Sequence, residues 1–282
     1  MFKIDYIKIK FEESLINHYS ANEILSMWNL WVLKYIFKIS QIDYILNRNY
    51  VVLQRHKKQV DNLIKHLLKN QPIQYFFGFT YFKNLKIIIN DNVLIPRPET
   101  EDLIDIFFSQ TNFFSFKKII DIGTGSGCIA IAIKKKIESH VYAIDICDEA
   151  LKIAKQNSVA NNVQVEYNKI DILNINNHHL LPKIDCIVSN PPYVLPLEVP
   201  NDSIIHSEPK NAIFVPPDNP LIFYEAIIKF ANSNLNLGGK IFLEINPILI
   251  SDLTNLIKKY GYFNIKIHND FYQKKRFIVV SS

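Results

Sequence analysis

The chain from Lys118 onward predicts an α/β fold built on a doubly wound, mainly parallel sheet, and three observations carry that prediction. Short apolar strands alternate with amphipathic helices, so successive strands cross over and run parallel. Three of only seven glycines in 282 residues fall in one stretch, Gly123-Thr124-Gly125-Ser126-Gly127, at a strand-to-helix junction. The final strand-like segments, 264–268 and 276–280, leave no room for a helix between them and should pair antiparallel.

Taken in order, residues 1–75 read as a small helical domain. Apolar residues such as Ile24, Trp28, Trp31 and Leu33 recur at three- and four-residue spacing, as they do again from 51 to 68, and proline and glycine are absent before Pro72. Residues 76–89 are aromatic and β-branched, with Gly78 and Asn84 as turn residues, and predict a hairpin. Pro96 and Pro98 stiffen the segment around Arg97 before a helix that begins near Thr100. The expected organisation is therefore a helical domain at 1–75, a hairpin and linker at 76–99, and an α/β domain at 100–282. Within the last, the expected strands are 118–122, 140–145, 163–169, 185–189 and 240–245, followed by the closing pair. The expected helices are 128–136, 149–160, 222–232 and 248–259.

Composition excludes several classes. Hydrophobic content of 48% rules out a disordered chain. Three scattered cysteines, Cys128, Cys147 and Cys186, argue against a disulfide framework or a zinc site and fit a reducing cytoplasm. No apolar run is long enough for a membrane span, and the N-terminus lacks the apolar core of a signal peptide. The net charge of +5 comes from scattered lysines, with only four arginines, and reads as a solvated surface rather than a nucleic-acid footprint.

The glycine cluster reads as a nucleotide-type binding turn, because a loop without Cβ atoms bends sharply and exposes its N–H groups. Its G-x-G-x-G spacing puts Cys128 where a dinucleotide fingerprint needs a third glycine or alanine, and no phosphate-loop Lys-Ser/Thr follows. Asp145 ends the next strand, eighteen residues beyond Gly127, at a distance suited to gripping ribose hydroxyls. A further strand ends near Asp171-Ile172, where an adenine can be hydrogen-bonded and covered. The constellation resembles the S-adenosyl-L-methionine (SAM) site of a class I methyltransferase.

The segment Asn190-Pro191-Pro192-Tyr193 follows the fourth strand and so lies at the carboxyl edge of the sheet, where open α/β sheets bind ligands. Methylating a planar sp² nitrogen requires its N–H groups to be held so that the lone pair faces the methyl carbon. Asn190 offers a side-chain oxygen and Pro191 a stiff backbone carbonyl, two acceptors for one –NH₂ group. Tyr193 can pack against the planar group. Orientation of the bound reactants then does most of the catalysis, with no strong general base required.

Asn-Pro-Pro-Tyr on such a core is shared by DNA adenine-N6 and protein glutamine-N5 methyltransferases. Gln71-Pro-Ile-Gln-Tyr75 with Gly78, Val93-Leu-Ile-Pro-Arg97-Pro-Glu-Thr-Glu101, Glu208-Pro209 with Asn219–Tyr224, and Leu237-Gly-Gly-Lys-Ile-Phe-Leu-Glu244 resemble signatures of the second group. The chain resembles the HemK-type, release-factor glutamine methyltransferase family, and Arg97-Pro98-Glu99-Thr100 matches its release-factor branch rather than the branch acting on a ribosomal protein. The resemblance implies a class I SAM-dependent fold: Rossmann-like, with a mostly parallel seven-stranded sheet, an antiparallel C-terminal hairpin, and a preceding helical substrate-recognition domain and hairpin linker. It implies SAM as methyl donor, S-adenosyl-L-homocysteine as product, no metal, and class I peptide chain release factors as protein substrate, methylated on the glutamine of a Gly-Gly-Gln motif. By carry-over, Gly123, Thr124, Gly125, Ser126, Gly127, Asp145, Ile172 and Asn190 contact SAM, while Asn190, Pro191, Pro192 and Tyr193 hold the glutamine amide. Two departures stand out: Asn246 where the family commonly has glycine, and Gln273 in place of the glycine of the closing Asp-x-x-Gly-x-x-Arg, here Asp270 to Arg276.

Arg97 and Glu99 are read as an ion pair pinning the linker more than as active-site wall, and Glu208 equally as a substrate-loop or plain loop carboxylate. The pair His178-His179 is expected on a surface loop, and Cys186 in the core. The rival functions are an adenine-N6 nucleic-acid methyltransferase, a ribosomal-protein glutamine methyltransferase, and a non-catalytic adaptor. Neither direct DNA binding nor membrane association is expected.

Overall fold

The computed structural model describes residues 2–47, 50–109 and 115–282. The chain divides into two compact units, Met1–Phe77 with Asp202–Ser207, and Gly78–Asn201 with Glu208–Ser282.

The first unit is mainly helical. Helix α1 (Ile4–Leu15) buries Ile4, Ile7, Phe11 and Leu15, one face at three- and four-residue spacing. Helix α2 (Ala21–Met27) starts from a capping box in which Ser20 and Glu23 satisfy each other's backbone N–H groups. It continues into a π-helical stretch, Trp28–Phe37, whose fully buried Trp28 packs at 5.6 Å from Phe11 and 5.7 Å from Phe37. Helices α3 (Gln41–Leu46), α4 (Gln54–Leu67) and α5 (Ile73–Phe77) complete the unit. It is not wholly helical as expected, because strands β1 (Phe2–Lys3) and β2 (Val51–Val52) pair antiparallel. Nor does the hairpin begin at 76: Phe76 and Phe77 belong to α5 and pack on the helical core. Residues 202–207, far off in sequence, join this unit, and Ser207 donates a 2.7 Å hydrogen bond to the Asn70 carbonyl.

The second unit opens with the hairpin β3 (Phe79–Phe82) and β4 (Leu85–Ile88), turning through Lys83 and Asn84, both at positive φ. Helix α6 (Pro98–Ser109) follows. The sheet contains β5 (Lys118–Ile122), β6 (His140–Asp145), β7 (Glu166–Lys169), β8 (Ile184–Ser189), β9 (Leu235–Glu244), β10 (Asn264–Asn269) and β11 (Lys275–Ser281). Their spatial order is β10-β11-β9-β8-β5-β6-β7, parallel throughout except where β11 pairs with β9 and β10. This is the mainly parallel seven-stranded sheet with an antiparallel closing hairpin that the sequence predicts. Helices α7 (Cys128–Lys134), α8 (Asp148–Ala160), α9 (Ile222–Asn234) and α10 (Ile250–Lys259) provide the crossovers and flanking layers. The central strands are apolar on both faces, and Ile120, Ile187 and Ile241 pack with Ile227 and Phe230 of α9.

Several boundaries shift for local reasons. Strand β9 starts at Leu235 rather than 240, because Gly238 at φ 77° lets the four residues 236–239 bulge between the pairs Ile184–Leu235 and Cys186–Lys240. Helix α10 starts at Ile250 rather than 248, because Pro247 opens a 3₁₀ turn capped by Asn246, whose Oδ1 accepts the Ile248 N–H at 3.0 Å.

Candidate functional site

The chain reverses its direction of travel across the sheet at β5, which has β6 on one side and β8 on the other. A crevice forms beyond the carboxyl ends of strands at such a point. The two sequence motifs leave from these neighbouring ends: Gly123 follows β5 and Asn190 follows β8. Ser189 ties the ends together, its hydroxyl donating to the Ile122 carbonyl at 2.6 Å.

The glycine loop adopts left-handed conformations at Gly123, Gly125 and Gly127, with φ of 72°, 52° and 82°. At Gly123 and Gly125 nothing lies within 4 Å of where a Cβ would stand, so the loop presents bare backbone to open space. At Gly127 the reason for glycine is different: a Cβ there would meet the Tyr167 hydroxyl at 2.9 Å and the Ala154 Cβ at 3.0 Å. Thr124 and Ser126 are buried. The Thr124 hydroxyl donates to Asp121 Oδ2 at 2.6 Å, and Asn157 Nδ2 donates to the Ser126 carbonyl at 2.9 Å. Asn157 also exchanges hydrogen bonds with both backbone groups of Ile88, so one buried amide clamps the hairpin and the glycine loop to α8.

Asp145 lies beside this loop as expected, and its Oδ2 accepts the Gly125 N–H at 2.8 Å while Oδ1 accepts the Cys147 N–H at 2.9 Å. Burial raises its pKa, and those backbone donors offset part of the rise. Each carboxylate oxygen keeps a second lone pair for a hydroxyl donor. Ile172, just beyond β7, is buried, and its carbonyl faces His178 Nε2 at 2.9 Å. His178 is therefore not the surface residue its Asn-rich surroundings suggested. It is buried against Phe230, while His179 is exposed.

Asn190 donates from Nδ2 to the Thr100 hydroxyl at 3.0 Å, and Thr100 donates to Glu244 Oε2 at 2.7 Å. The Tyr193 hydroxyl donates to Glu244 Oε1 at 2.8 Å. Burial, with Glu244 next to it, pushes the Tyr193 phenol well above its usual range, so it stays protonated and acts as a donor. Pro191 is buried and Pro192 half-buried. After the motif, Val194 exchanges backbone hydrogen bonds of 3.0 Å with Ile213 and Val215. Asn246, one of the two departures, donates to the Tyr193 carbonyl at 3.0 Å and to Glu198 at 2.9 Å, so this asparagine itself braces the motif. Glu208 is buried, accepts the Ile95 N–H at 3.0 Å and pairs with Arg97, so this pair pins the proline-flanked segment.

Sequence reasoning passed over Asp121, Asn157 and Glu244 as site residues. Asp121 is fully buried at the end of β5, with Oδ1 lacking a partner, and burial pushes its pKa up to about 7. The signal for it was a lone carboxylate in the run Lys-Ile-Ile-Asp-Ile before the glycines. Cys128 and Cys186 are buried thiols with raised pKa, unsuited to act as nucleophiles. Among the described residues no group of three or more His, Cys, Asp or Glu is placed to hold a metal ion, and no helix is long and apolar enough to cross a membrane.

The donor set fits SAM: an open glycine backbone, an adjacent buried carboxylate with spare acceptor capacity, and an apolar residue beyond the third strand. A family model described as "Methyltransferase small domain" matches residues 100–207. Among solved structures, a methyltransferase from Pyrococcus furiosus superposes with a TM-score of 0.52 at 19% identity, covering 78% of this chain and 98% of that one. A 16S rRNA methyltransferase from Thermus thermophilus, solved with AdoMet and guanosine, gives 0.53 at 13% identity, covering 72% and 49%. These likenesses establish the fold as that of a class I methyltransferase. Likeness in sequence runs over nearly the whole chain. The release factor glutamine methyltransferase of Flavobacterium psychrophilum is 35% identical over 280 residues, 97% of each protein. That of Bacteroides thetaiotaomicron is 31% identical over 272 residues, 95% of this chain and 96% of the relative. With that identity sustained from the helical unit through the closing hairpin, the chain belongs to the release factor glutamine methyltransferase family.

Proposed function

We propose that this chain transfers the methyl group of SAM to the side-chain amide nitrogen, N5, of the glutamine in the Gly-Gly-Gln motif of class I peptide chain release factors. The observation that carries the reading is the side-by-side exit of the glycine loop and Asn190-Pro191-Pro192-Tyr193 from β5 and β8, joined by the Ser189–Ile122 hydrogen bond. A methyl donor held by one loop is thereby brought to an amide held by the other.

In this reading Gly123 to Gly127, Asp145, Ile172 and Asn190 hold SAM, with Asp145 accepting from the ribose hydroxyls. When bound, SAM supplies an electrophilic sulfonium methyl. Asn190 Oδ1 and the Pro191 carbonyl accept the two amide hydrogens and aim the nitrogen lone pair, Pro192 fixes the direction of that carbonyl, and Tyr193 packs against the amide plane. Tyr193 is held neutral and Glu244 already accepts two hydrogen bonds, so neither serves as a base. The proton leaves to solvent after transfer, once the nitrogen is no longer part of a conjugated amide. The N-terminal helical unit is assigned to recognition of the release factor, and the enzyme to the cytoplasm, where its substrate is made. No metal and no direct contact with DNA enter the scheme.

The experiment incubates the protein with methyl-labelled SAM and a class I release factor, the same factor with its Gly-Gly-Gln glutamine replaced by glutamate, or duplex DNA. Label on the native factor alone is the expected result. Equal label on both factors, or label on DNA only, overturns the reading.

A further inference from the structure

The side-chain bonds around Glu244 determine which way the Asn190 amide faces. Burial raises the Glu244 pKa, but the Thr100 and Tyr193 hydroxyls and the Arg276 charge favour its ionised form. That form only accepts, so the single hydroxyl hydrogen of Thr100 is committed to Oε2 at 2.7 Å. Toward Asn190, at 3.0 Å, Thr100 is then left only a lone pair, and the amide must turn its Nδ2 to Thr100. Its Oδ1 is thereby directed away from the network. The other carboxylate oxygen receives the Tyr193 hydroxyl at 2.8 Å, which prevents Glu244 from turning. Thr100 and Glu244 are buried, so water cannot readily substitute for either.

We infer that Glu244 and Thr100 are positioning residues that lock the Asn190 amide with its oxygen toward the substrate, and that this lock makes the site select an –NH₂ group over a carboxylate. The inference rests on the proposed reading of the target as a glutamine amide. Without the lock an asparagine side chain presents either end at similar energy, since its oxygen and nitrogen are nearly equal in size. An outward Oδ1 accepts from a glutamine amide and repels a glutamate carboxylate. An outward Nδ2 does the reverse, wasting one hydrogen bond on the glutamine and donating to the glutamate.

The test uses Thr100→Val, which keeps the shape and removes the hydroxyl, and Thr100→Ser, which restores it. For each protein two quantities are measured: methylation of the native release factor, and binding of the glutamine-to-glutamate factor as a competitive inhibitor. Thr100→Val should lose about tenfold in kcat/KM, the worth of one neutral hydrogen bond near 1.4 kcal/mol. It should also bind the glutamate factor more tightly relative to the native factor, by a similar ratio. Thr100→Ser should recover most of both. A merely structural role for Thr100 would weaken both factors alike and leave their ratio unchanged. Should Thr100→Val fail to fold, Glu244→Gln replaces one acceptor by a donor at nearly constant shape and should narrow the same ratio. Methylation by the native enzyme with an unaltered glutamine-to-glutamate ratio in the variant overturns the lock alone. Failure of the native enzyme to methylate the native factor overturns the functional reading and the lock with it.

Discussion

Replacing Gly127 by alanine should unfold the second unit more readily than the same change at Gly125, although both glycines sit in the same loop at positive φ. Forcing an L side chain into the left-handed region costs about 1–2 kcal/mol at either site. At Gly125 that is the whole structural cost, because the added methyl points into open space. At Gly127 the methyl lands 2.9 Å from the Tyr167 hydroxyl and 3.0 Å from the Ala154 Cβ, with the Ala154 Cα at 3.2 Å. Backbone of α8 cannot move aside as a flexible side chain would, so overpacking of about 1–3 kcal/mol is added. The gain from a stiffer unfolded chain is common to both variants and cancels in the comparison. Gly127→Ala should therefore be less stable than Gly125→Ala by about 1–3 kcal/mol, read from urea midpoints at matched slopes. SAM affinity, measured calorimetrically, should fall more for Gly125→Ala among the molecules that remain folded, because its methyl occupies the open face. Equal midpoints for the two variants would show that contact with α8 does not dictate glycine at 127.

Two further outcomes follow from buried charge and a third from the amide grip. Burial raises the Asp121 pKa from 3.8 to about 7, so the native state holds a proton that the unfolded chain releases between those values. The stability this confers is complete below pH 4 and lost as pH rises through 7, by about 4 kcal/mol at most. Asp121→Asn should remove that slope, gaining on the native protein as pH is raised from 5 to 8 in denaturant titrations; parallel curves would refute it. Arg97→Met should cost about 3 kcal/mol and Glu208→Gln nearer 1, because the first strands a buried carboxylate and the second leaves a partly exposed guanidinium that water can reach. Thermal unfolding with the order reversed would refute that account. Asn190→Ala should keep SAM affinity within severalfold while reducing single-turnover methyl transfer about a hundredfold or more, and transfer at the native rate would rule out the amide grip.

The placement of the candidate site's segments was largely legible because their signals are local. A strand followed by Gly123-Thr-Gly-Ser-Gly127, an acid ending the next strand, and an Asn-Pro-Pro-Tyr segment after the fourth strand each specify a backbone shape within a few residues. Crossover handedness then brings the first and fourth strands together almost without alternatives. The aspartate at the end of the glycine strand was legible but overlooked. Its role emerges from burial, which removes water from one oxygen and leaves the helix N-terminus and Thr124 to hold the other. The two departures from the family pattern are resolved by backbone geometry. Asn246 has φ −75°, which needs no glycine, and braces Tyr193, whereas Gln273 carries φ 63° where glycine is the easier residue.

The sequence by itself determined the sheet, the loop proposed to face SAM and the segment proposed to hold the amide, because periodicity, glycine and proline act on the chain where they stand. Only the tertiary structure decided how that segment is oriented. Thr100 opens a helix, Asn190 and Tyr193 follow a strand ninety residues later, and Glu244 ends another strand beyond them, yet all four share one partly buried network. The physical reason is that a hydroxyl has one hydrogen to give. Which neighbour receives it depends on what folding places beside it, and that choice sets the direction of the Asn190 amide.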